Sequence, residues 1–224
     1  MRARTDSKRC YLISIETTEI TPKPPIHTIT MKTPRILAFG GSLRAASFNQ
    51  KIAALAAQGA RDAGADVTLI ALRDFPLPLF DEDLESASGM PENAKKLKEL
   101  FLAHDALIIA SPEYNGSFSA ALKNSIDWVS RATAADEAPL SALADKSAAI
   151  LAASPGGYGG SRGLVQLRAF LQNIRIQVIE PQVTIPKAHE IIGADGSIAD
   201  EGIAESVRLL GATLVASMNS KSAV

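Results

Sequence analysis

The chain has 224 residues, 46% of them hydrophobic and 21% charged, with a formal net charge of -1. That composition suits one globular domain with a full core, since single domains commonly reach about 250 residues. From residue 31 onward there are 18 basic and 21 acidic residues, and so mildly acidic a body argues against a nucleic-acid partner.

The single cysteine, Cys10, excludes an internal disulfide and a cysteine cluster for zinc. The three histidines, His27, His104 and His189, are scattered, with no ligand spacing between any two, and read as loop or surface residues. No apolar run approaches the roughly 18 residues of a membrane span. YLISI (11–15) is too short for a signal-peptide core, so a cytoplasmic protein is expected.

Residues 1–30 differ from the rest. They are rich in Thr, carry Pro22, Pro24 and Pro25, and show no sustained apolar period. The expectation is an extension over 1–33, either disordered or preceding a true start at Met31, with a short strand at YLISI as the other reading.

From Pro34 the pattern alternates. RILAF (35–39) is a short apolar run closed by glycines, as in a buried parallel strand. Residues 48–63 place Ile52, Leu55 and Ala56 at helical spacing, and Gly64 stops the helix. ADVTLIAL (65–72) is a second strand. Residues 73–85 hold two prolines and read as a loop; the acidic DEDLE within them reads as solvated or as a pocket wall. Residues 91–104 open with Pro at the first helical turn, where its missing N–H costs nothing. ALIIA (106–110) is a third strand, and 118–131 is a helix. SAAILAAS (147–154) is a fourth strand followed by a helix over 163–174. IQVIEPQV (176–183) is the fifth strand, and 199–218 is a last amphipathic helix.

Five strands alternating with helices define an α/β fold: a flavodoxin-like three-layer sandwich around a five-stranded parallel sheet of order 2-1-3-4-5. The domain is expected over 34–219. In such sheets ligands bind beyond the carboxyl ends of the strands, beside the switch in strand order. That nominates the loops after strands one, three and four.

The first, GGSLRAASFN (40–49), leaves the strand through Gly40 and Gly41 and enters a helix N-terminus. Free N–H groups and the positive dipole end suit a phosphate there. Ser42, Ser47 and Asn49 add neutral hydrogen-bonding groups and Arg44 adds charge; a plain N-cap by Ser47 or Asn49 is the other reading. The spacing is neither that of a nucleoside-triphosphate loop nor the usual dinucleotide fingerprint. The second loop, SPEYNGSFSAALKNSIDW (111–128), carries a turn between Pro112 and Gly116, with a helix expected from about Ser117. Glu113 and Asn115 could fix a flat ligand edge; a structural turn at Asn115-Gly116 is the alternative. The third, SPGGYGGSRG (154–163), clusters four glycines around Tyr158 and reads as a close-approach surface or as a flexible lid.

GSLRAASFN, SPEYNGSFSAALKNSIDWVSR and SPGGYGG, in this order and spacing over about residues 34–180, resemble the NADPH-dependent FMN reductases, a flavodoxin-like family that includes quinone, azo-dye and chromate reductases. PEYNGS followed by LKNSIDW is the most specific part of the match. The resemblance implies FMN as cofactor and NADPH or NADH as hydride donor. It implies that Ser42, Arg44, Ser47 and Asn49 hold the phosphate, and that Pro112, Glu113, Tyr114, Asn115 and Gly116 line the isoalloxazine. Ser154, Gly156 and Gly157 would close its other edge and the ribityl side. The flavin then carries the chemistry, with no catalytic side chain and no metal. Arg131 and Tyr158 become supporting or interface residues. The acceptor would be a small molecule: a quinone, free flavin, azo compound or metal oxyanion. No membrane or nucleic-acid partner is implied, but a homodimer or homotetramer is. Helix 118–131 with Trp128 is a candidate contact surface, against burial of Trp128 in the monomer.

The competing class is a flavodoxin-like FMN electron carrier without nicotinamide activity, though such carriers are usually strongly acidic and this body is not. A hydrolase using Ser42 or Ser154 lacks the GxSxG elbow that would expose either serine.

Overall fold

A computed structural model describes residues 33–221 of the chain. The expectations for residues 1–30, including the strand at YLISI, lie outside the described residues.

Strand β1 (Arg35–Gly40) is buried along five of its six positions. It pairs in parallel with β2 (Asp66–Ala71) on one side and β3 (Ala106–Ala110) on the other, with Ile36 opposite Val67 and Ala106. β6 (Ser147–Ala153) pairs with β3, and β7 (Gln177–Ile185) pairs with β6 at the edge. The five-stranded parallel sheet therefore runs β2-β1-β3-β6-β7, the flavodoxin-like order once the short β4 (Glu113–Tyr114) and β5 (Ser117–Phe118) are left out of the count. Pro181 sits in β7, where an edge strand tolerates a missing donor, and the ladder to β6 shifts between Ala148 and Ile150 beside it.

Alternation along the strands builds one core on each face of the sheet. Ile36, Ala38, Ile108 and Leu151 point toward α1 (Phe48–Asp62) and α7 (Glu201–Lys221), meeting Ile52, Ala56 and Leu214. Leu37, Phe39, Leu107, Ile109 and Ile150 point the other way. There they meet Leu97 and Phe101 of α3 (Glu92–Ala103), Leu122 and Ile126 of α4 (Ala120–Val129), and Leu164 and Leu167 of α5 (Ser161–Asn173). Helices α1 and α7 cross at Gly59 and Gly211, whose missing side chains let the two backbones touch.

The segment read as loop over 73–85 is more ordered than expected. A 3-10 turn spans Leu72–Asp74, and α2 spans Glu82–Ser88. The acidic run explains this helix: the Asp81 carboxylate accepts from the N–H groups of Asp83 and Leu84, and Glu82, Asp83 and Glu85 occupy the favourable end of the helix dipole. The helix expected from Ser117 begins later. Glu113–Tyr114 (β4) and Ser117–Phe118 (β5) first form a two-residue hairpin, and Ser119 then caps α4 by accepting from the Leu122 N–H. Asn115 and Gly116 have φ of 52° and 80°, the positive pair that a tight hairpin turn requires. A short α6 (Ala188–Ile191) follows β7.

Trp128 is fully buried in the monomer, which decides against it as a contact surface. Its indole N–H donates to the Pro78 carbonyl at 2.9 Å, and its ring meets Phe80 edge-on at 5.0 Å. Arg131 is likewise structural: it pairs with Glu85 and lies over the Phe80 ring. His104 is buried, not superficial, with Nδ1 2.6 Å from the Leu100 carbonyl oxygen and Nε2 2.7 Å from Thr68 Oγ1. Among the described residues no helix is long and apolar enough to cross a membrane.

Candidate active site

Three loops meet at the carboxyl ends of β1, β3 and β6. They bring Ser42, Arg44, Ser47 and Asn49 together with Pro112, Glu113, Tyr114 and Ser154 around one cleft, whose walls also include Phe48, Ala153 and Pro155. Of the residues singled out in the sequence, the exposed Asn115 and the half-buried Gly116 form the hairpin tip, and Gly156 and Gly157 an exposed stretch beside the cleft, outside its immediate lining.

The first loop is shaped by its neighbours. Any side chain at Gly40 would collide with the Gln50 backbone at 2.8 Å, so the strand turns directly onto α1. The buried Ser42 hydroxyl accepts from the Arg44 N–H at 3.3 Å, which leaves its own proton to donate. Ser47 is the N-cap of α1 and accepts from the Gln50 N–H at 3.2 Å. Ahead of that capped amide stand the first-turn N–H groups of Phe48 and Asn49, which a helix cannot satisfy internally. Arg44 is exposed, and no described acidic side chain pairs with it. Helix amides, a hydroxyl and a guanidinium with no partner among the described residues make a donor set that fits a phosphate.

Asn49 makes bonds that the sequence did not suggest. Its carboxamide exchanges two hydrogen bonds with the backbone of Ala153, donating to the carbonyl and accepting from the N–H, each at 2.9 Å. The side chain splices the first loop to the end of β6, leaving the backbone amide as its more available donor.

Glu113 does so as well. Its carboxylate accepts from Arg162 Nε at 2.9 Å and Nη2 at 2.6 Å, and from the Gly163 N–H at 3.0 Å. Burial alone would push this carboxyl up, but the Gly163 N–H and the Arg162 guanidinium outweigh it and hold it below the ordinary range. Pro112, Tyr114 and the hairpin backbone remain to face the cleft.

The glycines of the third loop divide by what surrounds them. A Cβ at Gly159 would lie 2.7 Å from the Pro186 nitrogen, and one at Gly160 would lie 2.5 Å from the Ala152 Cβ. These two serve packing. Gly156 and Gly157 have open space, with nothing closer than the Ser154 hydroxyl at 3.6 Å, and so present bare backbone outward. The loop is not a free lid. Lys187 N–H donates to the Gly156 carbonyl and Ala188 N–H to the Ser154 carbonyl, which tie it to the start of α6. Sequence reasoning missed these ties and missed Arg162, although GGSRG placed a cation just ahead of the expected helix.

A doubly wound parallel sheet of this order, with a cleft lined by hydrogen-bond donors at its switch point, defines a flavodoxin-like protein. The comparisons are more specific. The family model for NADPH-dependent FMN reductases matches residues 34–190, and the chain belongs to that family of oxidoreductases. It is 35% identical to an NAD(P)H-dependent FMN reductase of Pseudomonas aeruginosa over 175 residues, 78% of this chain and 89% of that one. It is 32% identical to an NADPH:quinone oxidoreductase of Arabidopsis thaliana over 177 residues, 78% and 86% of the two chains. Among solved structures it resembles FerB, a flavoenzyme NAD(P)H:(acceptor) oxidoreductase of Paracoccus denitrificans. There the TM-score is 0.68 at 27% identity, covering 82% of this chain and 96% of that one.

Proposed function

We propose that this protein is an FMN-dependent NAD(P)H oxidoreductase acting on a small-molecule acceptor: a quinone, free flavin, azo compound or metal oxyanion. The observation that carries the reading is the convergence of the three loops on one cleft, where Ser42, Arg44 and Ser47 stand beside Pro112, Tyr114 and Ser154.

In this reading Ser42, Arg44 and Ser47, with the amides of Phe48 and Asn49, hold the FMN phosphate. Pro112, Tyr114 and the backbone of Asn115 and Gly116 line one side of the ring. Ser154, Gly156 and Gly157 line the other edge and the ribityl chain. Bound there, FMN supplies hydride acceptance and electron delivery. The chain's own residues bind, orient and exclude water, and none is assigned a proton to move. The activities of the Pseudomonas and Arabidopsis relatives, on FMN and on quinone, support a small acceptor. Leu43 and Tyr114 flank the cleft at 58% and 51% exposure, which supports a homodimer or homotetramer that covers them. The reductase domain is assigned to 34–219, with the preceding residues an extension, in a cytoplasmic protein that uses NADPH or NADH.

The test is a visible spectrum after incubation with FMN and desalting, repeated on anaerobic addition of NADPH. A retained flavin band that bleaches within seconds is expected. A retained band that persists would instead indicate an electron carrier, and no retained flavin would overturn the cofactor assignment.

A further inference from the structure

The Glu113 side chain is only 7% exposed, although it stands at the mouth of the cleft. Its contacts lead away from the cleft to α5. The N-cap of that helix is Gly160, which has no side chain to cap the free amides of the first turn. Glu113 reaches across from the hairpin and does so, with one oxygen on the Gly163 N–H and the other on the Arg162 fork. A carboxylate at a helix N-terminus is favoured by the dipole, and the paired guanidinium adds to it.

The backbone is shaped for this contact. A Cβ at Gly163 would press to 3.2 Å against both the Glu113 Cβ and the Ser117 carbonyl oxygen, so the hairpin rests directly on the first turn of α5. The guanidinium of Arg162 lies 4.8 Å from the centroid of the Tyr158 ring in the third loop. One chain of contacts, Glu113 to Arg162 to Tyr158, thus joins the second loop to the third. The hairpin needs such an anchor, because an isolated two-stranded hairpin is at best marginally stable.

We propose that Glu113 is a positioning residue: with Arg162 it sets the spacing of the second and third loops, and with it the slot for the flat end of the flavin, without contacting the flavin through its carboxylate. The proposal rests on the FMN reading above. A slot held at fixed width spares the ligand the cost of ordering its walls, so loosening it weakens affinity for the ring and leaves the phosphate end alone.

The test compares dissociation constants of FMN and riboflavin for the full chain, since riboflavin shares the ring and lacks the phosphate. Glu113→Gln keeps an oxygen for Gly163 and loses the charge. Arg162→Met keeps the Glu113 cap and loses the bridge to Tyr158. Each variant should weaken FMN and riboflavin by the same factor, about five-fold, as loss of one charge-assisted contact implies. The double variant should add little beyond either one, because both break a single linkage. Arg44→Ala should weaken FMN and leave riboflavin unchanged. Unaltered riboflavin affinity in both single variants, or fully additive losses in the double, would overturn the proposal while FMN binding by the unsubstituted chain upholds the cofactor reading. Failure of the unsubstituted chain to bind either flavin would overturn both.

Discussion

Asn49 and Ala153 lie 104 positions apart in the chain and exchange two hydrogen bonds, the carboxamide of one closing on the N–H and carbonyl of the other. Both residues are buried, so neither backbone group of Ala153 has water as a substitute partner. Asn49→Ala should therefore destabilise the protein by about 2–4 kcal/mol, the cost of two backbone groups left unpaired. Urea denaturation measures it. A loss under about 0.5 kcal/mol would show that the splice is dispensable. Flavin binding in this variant should be judged only where it remains folded, because the substitution acts on stability first.

The crossing of α1 and α7 sets helix propensity against packing. Gly211→Ala favours the helix by about 1 kcal/mol. The added Cβ, however, would sit 2.0 Å from the Ala56 carbonyl oxygen, a backbone atom that cannot step aside. Packing should win, with a net loss of about 2 kcal/mol or more as the helices part. A thermal midpoint equal to or above that of the unsubstituted chain would contradict the close crossing.

Acid stability should depend on Glu137. Its carboxylate pairs with the buried Lys98 ammonium and also accepts from Ser141 and from the Thr133 backbone. These contacts, the Lys98 bond foremost, bring its pKa down from 4.5 to about 2. The folded state thus binds this proton less readily than the unfolded chain. The stabilisation is fully present above pH 4.5 and is lost as pH falls toward about 2. Glu137→Gln should lower stability at neutral pH and flatten the pH dependence in that window. An unchanged slope in chemical denaturation between pH 5 and 2, to be measured on both chains, would assign the acid sensitivity elsewhere.

The Pro76–Phe80 segment should loosen when Trp128 is replaced. The Pro78 carbonyl accepts from both Asn124 Nδ2 and Trp128 Nε1, while the Phe80 N–H donates to Asn124 Oδ1. Trp128→Phe keeps an aromatic ring against Phe80 and removes one of these bonds. A loss of about 1–2 kcal/mol is expected, with faster amide exchange at Phe80. Unchanged exchange at that amide would mean that Asn124 alone holds the segment.

These contacts show why the place of the motif residues was legible in the sequence and their bonds to the chain itself were not. Asn124 and Trp128 belong to the stretch LKNSIDW, whose period predicts a helix but not what its polar face holds. Asn49 and Glu113 stand among hydrogen-bonding neighbours in loops that face a cleft, and residue type and place suggested ligand contact for both. Two of their partners, Ala153 and Gly163, lie 104 and 50 positions away and offer backbone alone, so they carry no side-chain signal, while Arg162 adds a guanidinium to Glu113. Backbone partners at such separations leave no trace in composition or spacing.

The sequence by itself determined the α/β class, the five principal strands and their order, and the three loops at the carboxyl ends. Each of these follows from local patterns, namely apolar runs of strand length, helical period and clusters of Gly, Pro and Ser, and the handedness of parallel connections leaves few ways to assemble them. Only the tertiary structure decided the work of the individual polar side chains within the loops. A carboxamide or carboxylate can serve a ligand or the chain's own backbone with the same chemistry, and the choice is set by which unpaired groups the fold brings within about 3 Å of it. Here the fold brought Ala153 to Asn49 and the first turn of α5 to Glu113, and left Arg44 facing outward at the cleft.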